Sequence, residues 1–180
     1  MIRIRFSGFG GQGIVLLGYI FGNAAVADNK IVIQTQSYGS ESRGGECKSD
    51  VVISEQPIYE LELVELDVLV AMSQLAYNKY ISQLKSGGSL FIDADLVTTS
   101  AKSPDVHTYS VRATYIADTE FNRKIVANMV MLGFVTAILR IVSKSAVCTV
   151  ISQRVPKGTE ALNISAFEYG YKLGIDARAS

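Results

Sequence analysis

The sequence predicts an α/β fold, a single domain with a mostly parallel sheet flanked by helices. Three observations predict it. Short runs rich in Val and Ile alternate with apolar segments of helical length. A glycine turn joins the first run to the first such segment, and it carries an in-register G-x-G-x-x-G at Gly8, Gly10 and Gly13, which makes a Rossmann-like start. The last third of the chain is mostly long apolar stretches at helical spacing, so the C-terminal third is expected to be helical.

The elements follow in order. "IRIRF" (2–6) reads as a strand, "IVLLGYIFGNAAVAD" (14–28) as a helix and "KIVIQTQ" (30–36) as a second strand, together a βαβ unit of the expected size, roughly thirty residues. "VVIS" and "DVLVAM" are two further Val-rich strands. Between Ser73 and Lys85, Leu75, Tyr77, Tyr80, Ile81 and Leu84 recur near helical spacing, with "SGG" (86–88) ending that helix. "SLFID" and "VHTYSV" are strands. Residues 121–143 read as one long buried helix, and 157–173 as another, opened by Pro156 and closed near Gly174. "AVCTVISQRV" (146–155) has β-branched content that argues strand and a position between helices that argues helix; we assign helix. The domain is expected to span 1–174, with 175–180 a frayed tail.

Composition narrows the function. The 180 residues contain 17 basic and 17 acidic side chains, so the formal net charge is zero. No basic stripe with interleaved aromatics is present, which argues against a nucleic-acid partner. A neutral chain that is 48% hydrophobic suggests surface buried in a complex, or a homodimer when the chain is alone. "KIVANMVMLGFVTAILRIV" (124–142) approaches membrane-spanning length, but Asn128 and Arg140 interrupt it, so a core helix is expected rather than a membrane contact. Arg3 and Arg5 sit inside a strand pattern and not in a signal-peptide n-region, so a cytoplasmic protein is expected. The two cysteines, Cys47 and Cys148, lie in no C-x-x-C and cannot by themselves build a disulfide framework, a zinc site or an iron–sulfur cluster. The lone histidine, His107, falls in or beside a surface strand and is not expected to be catalytic. Asp93 and Asp95 form a D-x-D at a strand end, where capping of the following segment is favoured over metal binding. No catalytic residue and no metal ligand is expected on this chain.

The glycine turn suits an anion, because glycine lets a ligand approach and the helix behind it offers free N–H groups. A dinucleotide site would also need an acidic residue at the end of the second strand, about twenty residues beyond the last glycine. That strand ends in Gln34, Thr35 and Gln36, and the nearest acid, Asp28, precedes it. A second glycine-rich segment, "QSYGSESRGGECKSD" (36–50), brings Ser40, Arg43, Gly44 and Gly45 after strand two. With strand two parallel to strand one, both segments are expected at the carboxyl edge of the sheet, where ligands bind in such folds. Arg43 would then offer a forked donor to a phosphate or carboxylate, or pair with Glu41 or Glu46 at the surface.

"GFGGQGIVLLGYIFGNAA", "QSYGSESRGGECKSDVVIS", "DVLVAMSQLAYNKYI", "LKSGGSLFIDADLV", "NMVMLG" and "VPKGTEALNISAFEYGYKLG" together resemble the gamma subunit, or gamma domain, of 2-oxoacid:ferredoxin oxidoreductases. The wording around Arg43 is most similar to the 2-oxoglutarate branch, ahead of the pyruvate and branched-chain 2-oxoacid enzymes. Ser40 stands where the family usually has a proline or another small residue. The resemblance implies a complex that decarboxylates a 2-oxoacid on thiamine diphosphate with Mg, passes electrons through iron–sulfur clusters to ferredoxin, and transfers the acyl group to coenzyme A. It implies alpha and beta catalytic subunits and a ferredoxin-like delta subunit as partners, and an isolated chain without activity. Gly8, Gly10, Gly11, Gln12, Gly13, Ser40, Arg43, Gly44 and Gly45 would then line a pocket for coenzyme A, with Gln12 donating through its amide and Arg43 pairing with a phosphate; the same segments could instead meet a partner subunit. The rival is a stand-alone dinucleotide-binding protein.

Overall fold

The computed structural model describes residues 1–38, 45–59, 65–99 and 105–179, the side chain of Tyr38 excepted. Among the described residues six strands form one sheet in the order β2-β3-β1-β4-β5-β6. They are β1 (Ile2–Phe9), β2 (Ile31–Tyr38), β3 (Glu46–Ser54), β4 (Leu66–Ala71), β5 (Leu84–Asp93) and β6 (His107–Val111). β1, β4, β5 and β6 pair in parallel, and β3 pairs antiparallel with both β1 and β2. β2 therefore runs in the same direction as β1 but is not its neighbour. This corrects the expected βαβ unit: β3 fills the gap between the two strands, and it extends back to Glu46 through residues the sequence reading left as loop.

Among the described residues six α-helices accompany the sheet: α1 (Ile14–Ala27), α2 (Gln74–Tyr80), α3 (Ala113–Thr119), α4 (Ala127–Leu139), α5 (Lys144–Arg154) and α6 (Glu160–Ala179). The larger core lies on the sheet face that carries Ile4, Phe6 and Val51, covered by α1, α3 and α4, with α5 and α6 packed over them. The smaller core, on the other face, lies under α2 around Leu69, Tyr77 and Leu90. Among the described residues no helix is long and apolar enough to cross a membrane.

Several boundaries differ from expectation for physical reasons. α2 ends at Tyr80, a 3₁₀ turn covers Ile81–Gln83, and "SGG" sits inside β5 at a register irregularity rather than ending the helix. The expected helix over 121–143 is a 3₁₀ turn (Lys124–Val126) followed by α4, which stops where Arg140 takes a left-handed conformation at φ 54°. α3, only seven residues long, escaped the sequence reading. α5 forms as assigned; Ser143 Oγ caps it by accepting from Ala146 N at 3.2 Å, while Asp28 accepts from Ser143 N and Oγ. α6 begins at Glu160, after a turn over 156–159, and continues through Gly174 to Ala179. Residues 175–179 are thus helix and not a frayed tail: Gly174 is a packing contact against Phe134 and Ala137 of α4 rather than a stop.

In mid-sheet, β1 places Arg5 opposite Asp50 of β3. The guanidinium is 2% exposed and bidentate, with Nε–Oδ1 at 2.6 Å and Nη2–Oδ2 at 2.8 Å, and it lies 4.5 Å from the Tyr80 ring centre. At the sheet's carboxyl edge, Asp93 and Asp95 both cap α3. Asp93 Oδ2 accepts from Thr114 N and Oγ1, and Asp95 Oδ2 accepts from Tyr115 N while its Oδ1 takes Arg112 Nε. Asp93 Oδ1 also accepts from Asp95 N at 3.2 Å in the segment that follows directly, and the helix that both carboxylates cap is the one twenty residues on.

α4 and α6 approach backbone to backbone. A Cβ on Gly170 would collide with Val130 O, and one on Gly133 with Phe167 O. Alanine gains about 1 kcal/mol of helix propensity over glycine, but overpacking of this kind costs about 1–3 kcal/mol. Gly170→Ala is therefore expected to lower the urea midpoint; an unchanged or higher midpoint would contradict the contact. Burial raises the Asp93 carboxyl above its ordinary value, against the opposing hydrogen bonds from Thr114 and Asp95 N. A folded value above the unfolded one, about 3.9, gives stability that is complete below the unfolded value and lost as pH rises through the folded one. Relative to Asp93→Asn, the wild-type midpoint should decline with rising pH across that window, and a constant difference would refute it.

Candidate functional site

The first strand ends at Phe9 and the chain turns through Gly10, Gly11 and Gly13 into α1. Gly11 and Gly13 have φ of 100° and 73°, which side-chain-bearing residues rarely adopt. Gly13 also lies against another chain segment, since a Cβ there would collide with Asn128 Nδ2. Gly8 is buried in β1 opposite Cys47, and its missing side chain makes room for Gln12. Gln12 in turn uses both ends of its amide internally. Its Oε1 accepts from Phe9 N at 2.9 Å and its Nε2 donates to Met72 O at 2.7 Å, tying the turn to the end of β4. The expected ligand donor is a brace for the turn.

The second glycine segment meets the first: Gly10 N donates to Gly45 O at 2.9 Å, one step beyond the Phe9–Glu46 pair of the β1–β3 ladder. Ser40, Arg43 and Gly44 lie outside the described residues. The structure therefore joins Gly8, Gly10, Gly11, Gln12, Gly13 and Gly45 at the carboxyl edge.

Two clefts flank this turn and share Gly10, Gly11 and Ile125 as a ridge. The larger, of about 470 Å³, lies between Gly13, Val15, Cys47, Asn128, Thr159 and Leu162. It is bounded by the first turns of α1, α4 and α6; the dipoles of α1 and α4 present partial positive charge there, while Ala127 N at the start of α4 is taken by Lys124 O and Glu160 offsets the dipole of α6. The smaller, of about 370 Å³, is lined by Phe9, Gln12, Met72, Leu96, Thr114 and Lys124. Each volume is within the range of small-molecule sites, about 300–1,000 Å³.

Cys47 faces the larger cleft but is not an activated nucleophile. Burial pushes its thiol up, against a smaller opposing effect of a backbone hydrogen bond at Val15, so it stays protonated near neutrality. Among the described residues no group of three His, Cys, Asp or Glu side chains could hold a metal. His107 is exposed on β6, away from the residues of both clefts. The sequence reading missed Asn128, Thr159 and Leu162 as cleft residues. The signal for Asn128 was present, as the single amide in an otherwise apolar run; nothing local marks Thr159 or Leu162.

The sequence and the fold recur in known proteins. The sequence profile of the pyruvate ferredoxin/flavodoxin oxidoreductase family matches residues 3–173. The 2-oxoglutarate synthase subunit KorC of Methanocaldococcus jannaschii is 51% identical over 174 residues, covering 95% of this chain and 92% of that protein. The crystal structure of the gamma subunit of a keto/oxoacid ferredoxin oxidoreductase from Geobacter sulfurreducens superposes with a TM-score of 0.86 at 40% identity, covering 98% of this chain and 99% of that one. The 2-oxoglutarate:ferredoxin oxidoreductase of Magnetococcus marinus, solved with 2-oxoglutarate, coenzyme A and succinyl-CoA bound, superposes at 0.87 with 25% identity, covering 96% of this chain and 31% of that one. A chain whose residues 3–173 fit the family from β1 into α6, and 98% of which superposes on a gamma subunit, belongs to the pyruvate ferredoxin/flavodoxin oxidoreductase family.

Proposed function

We propose that this chain is the gamma subunit of a cytoplasmic 2-oxoglutarate:ferredoxin oxidoreductase and forms one wall of that complex's coenzyme A site. The observation that carries the reading is the 51% identity to a 2-oxoglutarate synthase subunit across almost the full length of both chains. The pyruvate and branched-chain readings have less support; a pyruvate synthase subunit of Methanothermobacter marburgensis is 30% identical over a similar span. In the Magnetococcus enzyme the same fold occupies about a third of a longer chain, which supports close contact between this chain and separate alpha and beta subunits.

The division of labour follows from what this chain carries. Two cysteines cannot supply the four thiolates of a cluster, so electron transfer to ferredoxin runs through other subunits, including a ferredoxin-like delta chain. Thiamine diphosphate and its Mg belong to the alpha and beta subunits. Coenzyme A, when bound, supplies the thiol that accepts the acyl group. The residues here fit it: the turn at Gly10–Gly13 lets a phosphate approach backbone N–H groups, and the apolar wall of the larger cleft suits a flexible carbon chain. Gln12 holds the turn in shape. Ser40, Arg43 and Gly44 complete the site from the second glycine segment, with Arg43 on a phosphate.

Purification of the native complex through this chain is expected to bring down alpha and beta partners carrying iron, sulfide and thiamine diphosphate; a homogeneous homodimer from the native source would overturn the reading. Removal of a charge-assisted contact costs about 1.5–3 kcal/mol, or roughly 10- to 100-fold in affinity. Arg43→Ala in the assembled enzyme should therefore raise KM for coenzyme A by that factor and leave KM for 2-oxoglutarate in place. An unchanged KM with weakened assembly would assign the segment to a subunit interface.

A further inference from the structure

Asn128 is an unusual residue for its position. It stands in the first turn of α4, is 4% exposed, and is surrounded on its helix by buried apolar side chains. Its Oδ1 accepts from Met129 N at 2.8 Å, and that contact fixes the orientation of the amide, because an N–H donor can only be met by the oxygen end. The Nδ2 end is left without an acceptor among the described residues, and no fully enclosed side-chain polar atom lacks a partner, so Nδ2 opens into a space. That space is the larger cleft, beside Gly13.

A buried amide with spare donor hydrogens is costly unless a ligand or water takes them, by about 1–3 kcal/mol. Here the donors point where two other sources of positive potential meet. α1 and α4 both begin at this cleft, and neither carries an acidic residue in its first turn to neutralise its dipole. Around them most of the wall is apolar: Val15, Cys47 and Leu162 offer no charge to a cation, and the further polar side chains are Thr159 and Asn163, which are hydrogen-bonded to each other. The ligand group that fits is an anionic oxygen attached to an apolar or flexible chain.

Resting on the coenzyme A reading above, we infer that Asn128 is a ligand-binding residue whose Nδ2 donates to a phosphoryl oxygen of the bound coenzyme in the larger cleft, between the N-termini of α1 and α4. Gly13 is glycine in part because this amide must come alongside it. Asn128 thereby decides which of the two clefts receives the phosphate: the smaller one has Lys124 at its margin, but that ammonium is already within 3.4 Å of Asp118.

The test uses the assembled complex and its reduction of ferredoxin or a viologen. Asn128→Asp preserves the acceptor for Met129 N and replaces the donor with a negative charge. KM for coenzyme A should rise tenfold or more, KM for 2-oxoglutarate should stay within twofold, and kcat at saturating coenzyme A should change far less than KM. If that variant does not assemble, Asn128→Ala decides, with a rise of several-fold expected. Dephospho-coenzyme A distinguishes the source: an equal penalty with both coenzymes places the contact on the diphosphate, and a penalty confined to coenzyme A places it on the 3′-phosphate. Leu162→Trp fills the same cleft from α6 and separates occupancy of the cleft from the contact made by Asn128. If it raises KM for coenzyme A while the Asn128 variants do not, the cleft reading stands and the role of Asn128 is overturned. If none of these variants moves KM, the cleft reading itself falls.

Discussion

The antiparallel insertion of β3 between β1 and β2 is the constraint from which the site derives. In a plain βαβ unit the second strand would lie beside the first, and the segment after it would lead away from the glycine turn. Here β3 begins at the carboxyl edge next to β1, so Gly45 arrives opposite Gly10 and the two backbones hydrogen-bond there. An antiparallel neighbour is the arrangement that places the start of one strand beside the end of the other. Both glycine segments can therefore serve one edge while α1 still covers the face behind them.

The helical layer adds the second half of the site through close packing rather than through polar contacts. α4 and α6 meet backbone to backbone at Gly133 and Gly170, and at Gly174 against Phe134 O and the Ala137 methyl. That approach brings the start of α6 to the start of α4, and the start of α4 to Gly13. An apolar pocket with few polar groups follows, since the elements that enclose it touch through Ile, Val, Leu and glycine. The capped α3 closes the other side of the ridge, where Asp93 fixes Thr114 beside the smaller cleft and Asp95 holds the neighbouring Tyr115 N.

Much of this was legible in the sequence. Strict alternation made β1 a strand, the valine runs marked β4 and part of β3, and the turn into α1 was plain from its glycines. The rest was hidden for identifiable reasons. β3 alternates Cys47, Ser49, Val51 and Ile53 on one face with Lys48, Asp50 and Val52 on the other, so its first half looks polar until a charged partner across the sheet explains Asp50. The end of α4 depends on Arg140 adopting a left-handed backbone, which its residue type does not announce. Gln12 looked like a ligand donor because its partners, Phe9 N and Met72 O, are backbone groups, one of them sixty residues away. Asn128 was visible as an interruption in an apolar run, but only the fold shows that its free amide end faces a cleft.

The Arg5–Asp50 pair has a consequence for assembly of the sheet. A one-residue slip of β3 along β1 would turn Asp50 to the opposite face and put Ser49 or Val51 across from the guanidinium. A buried charge robbed of its partner costs about 3–5 kcal/mol, a large share of what holds a domain of this size together. The pair therefore acts as a vernier, set in the middle of the sheet and read at its rim. Misaligned strands are rejected by a charge imbalance far from the ligand, and only the correct alignment brings Gly45 to Gly10.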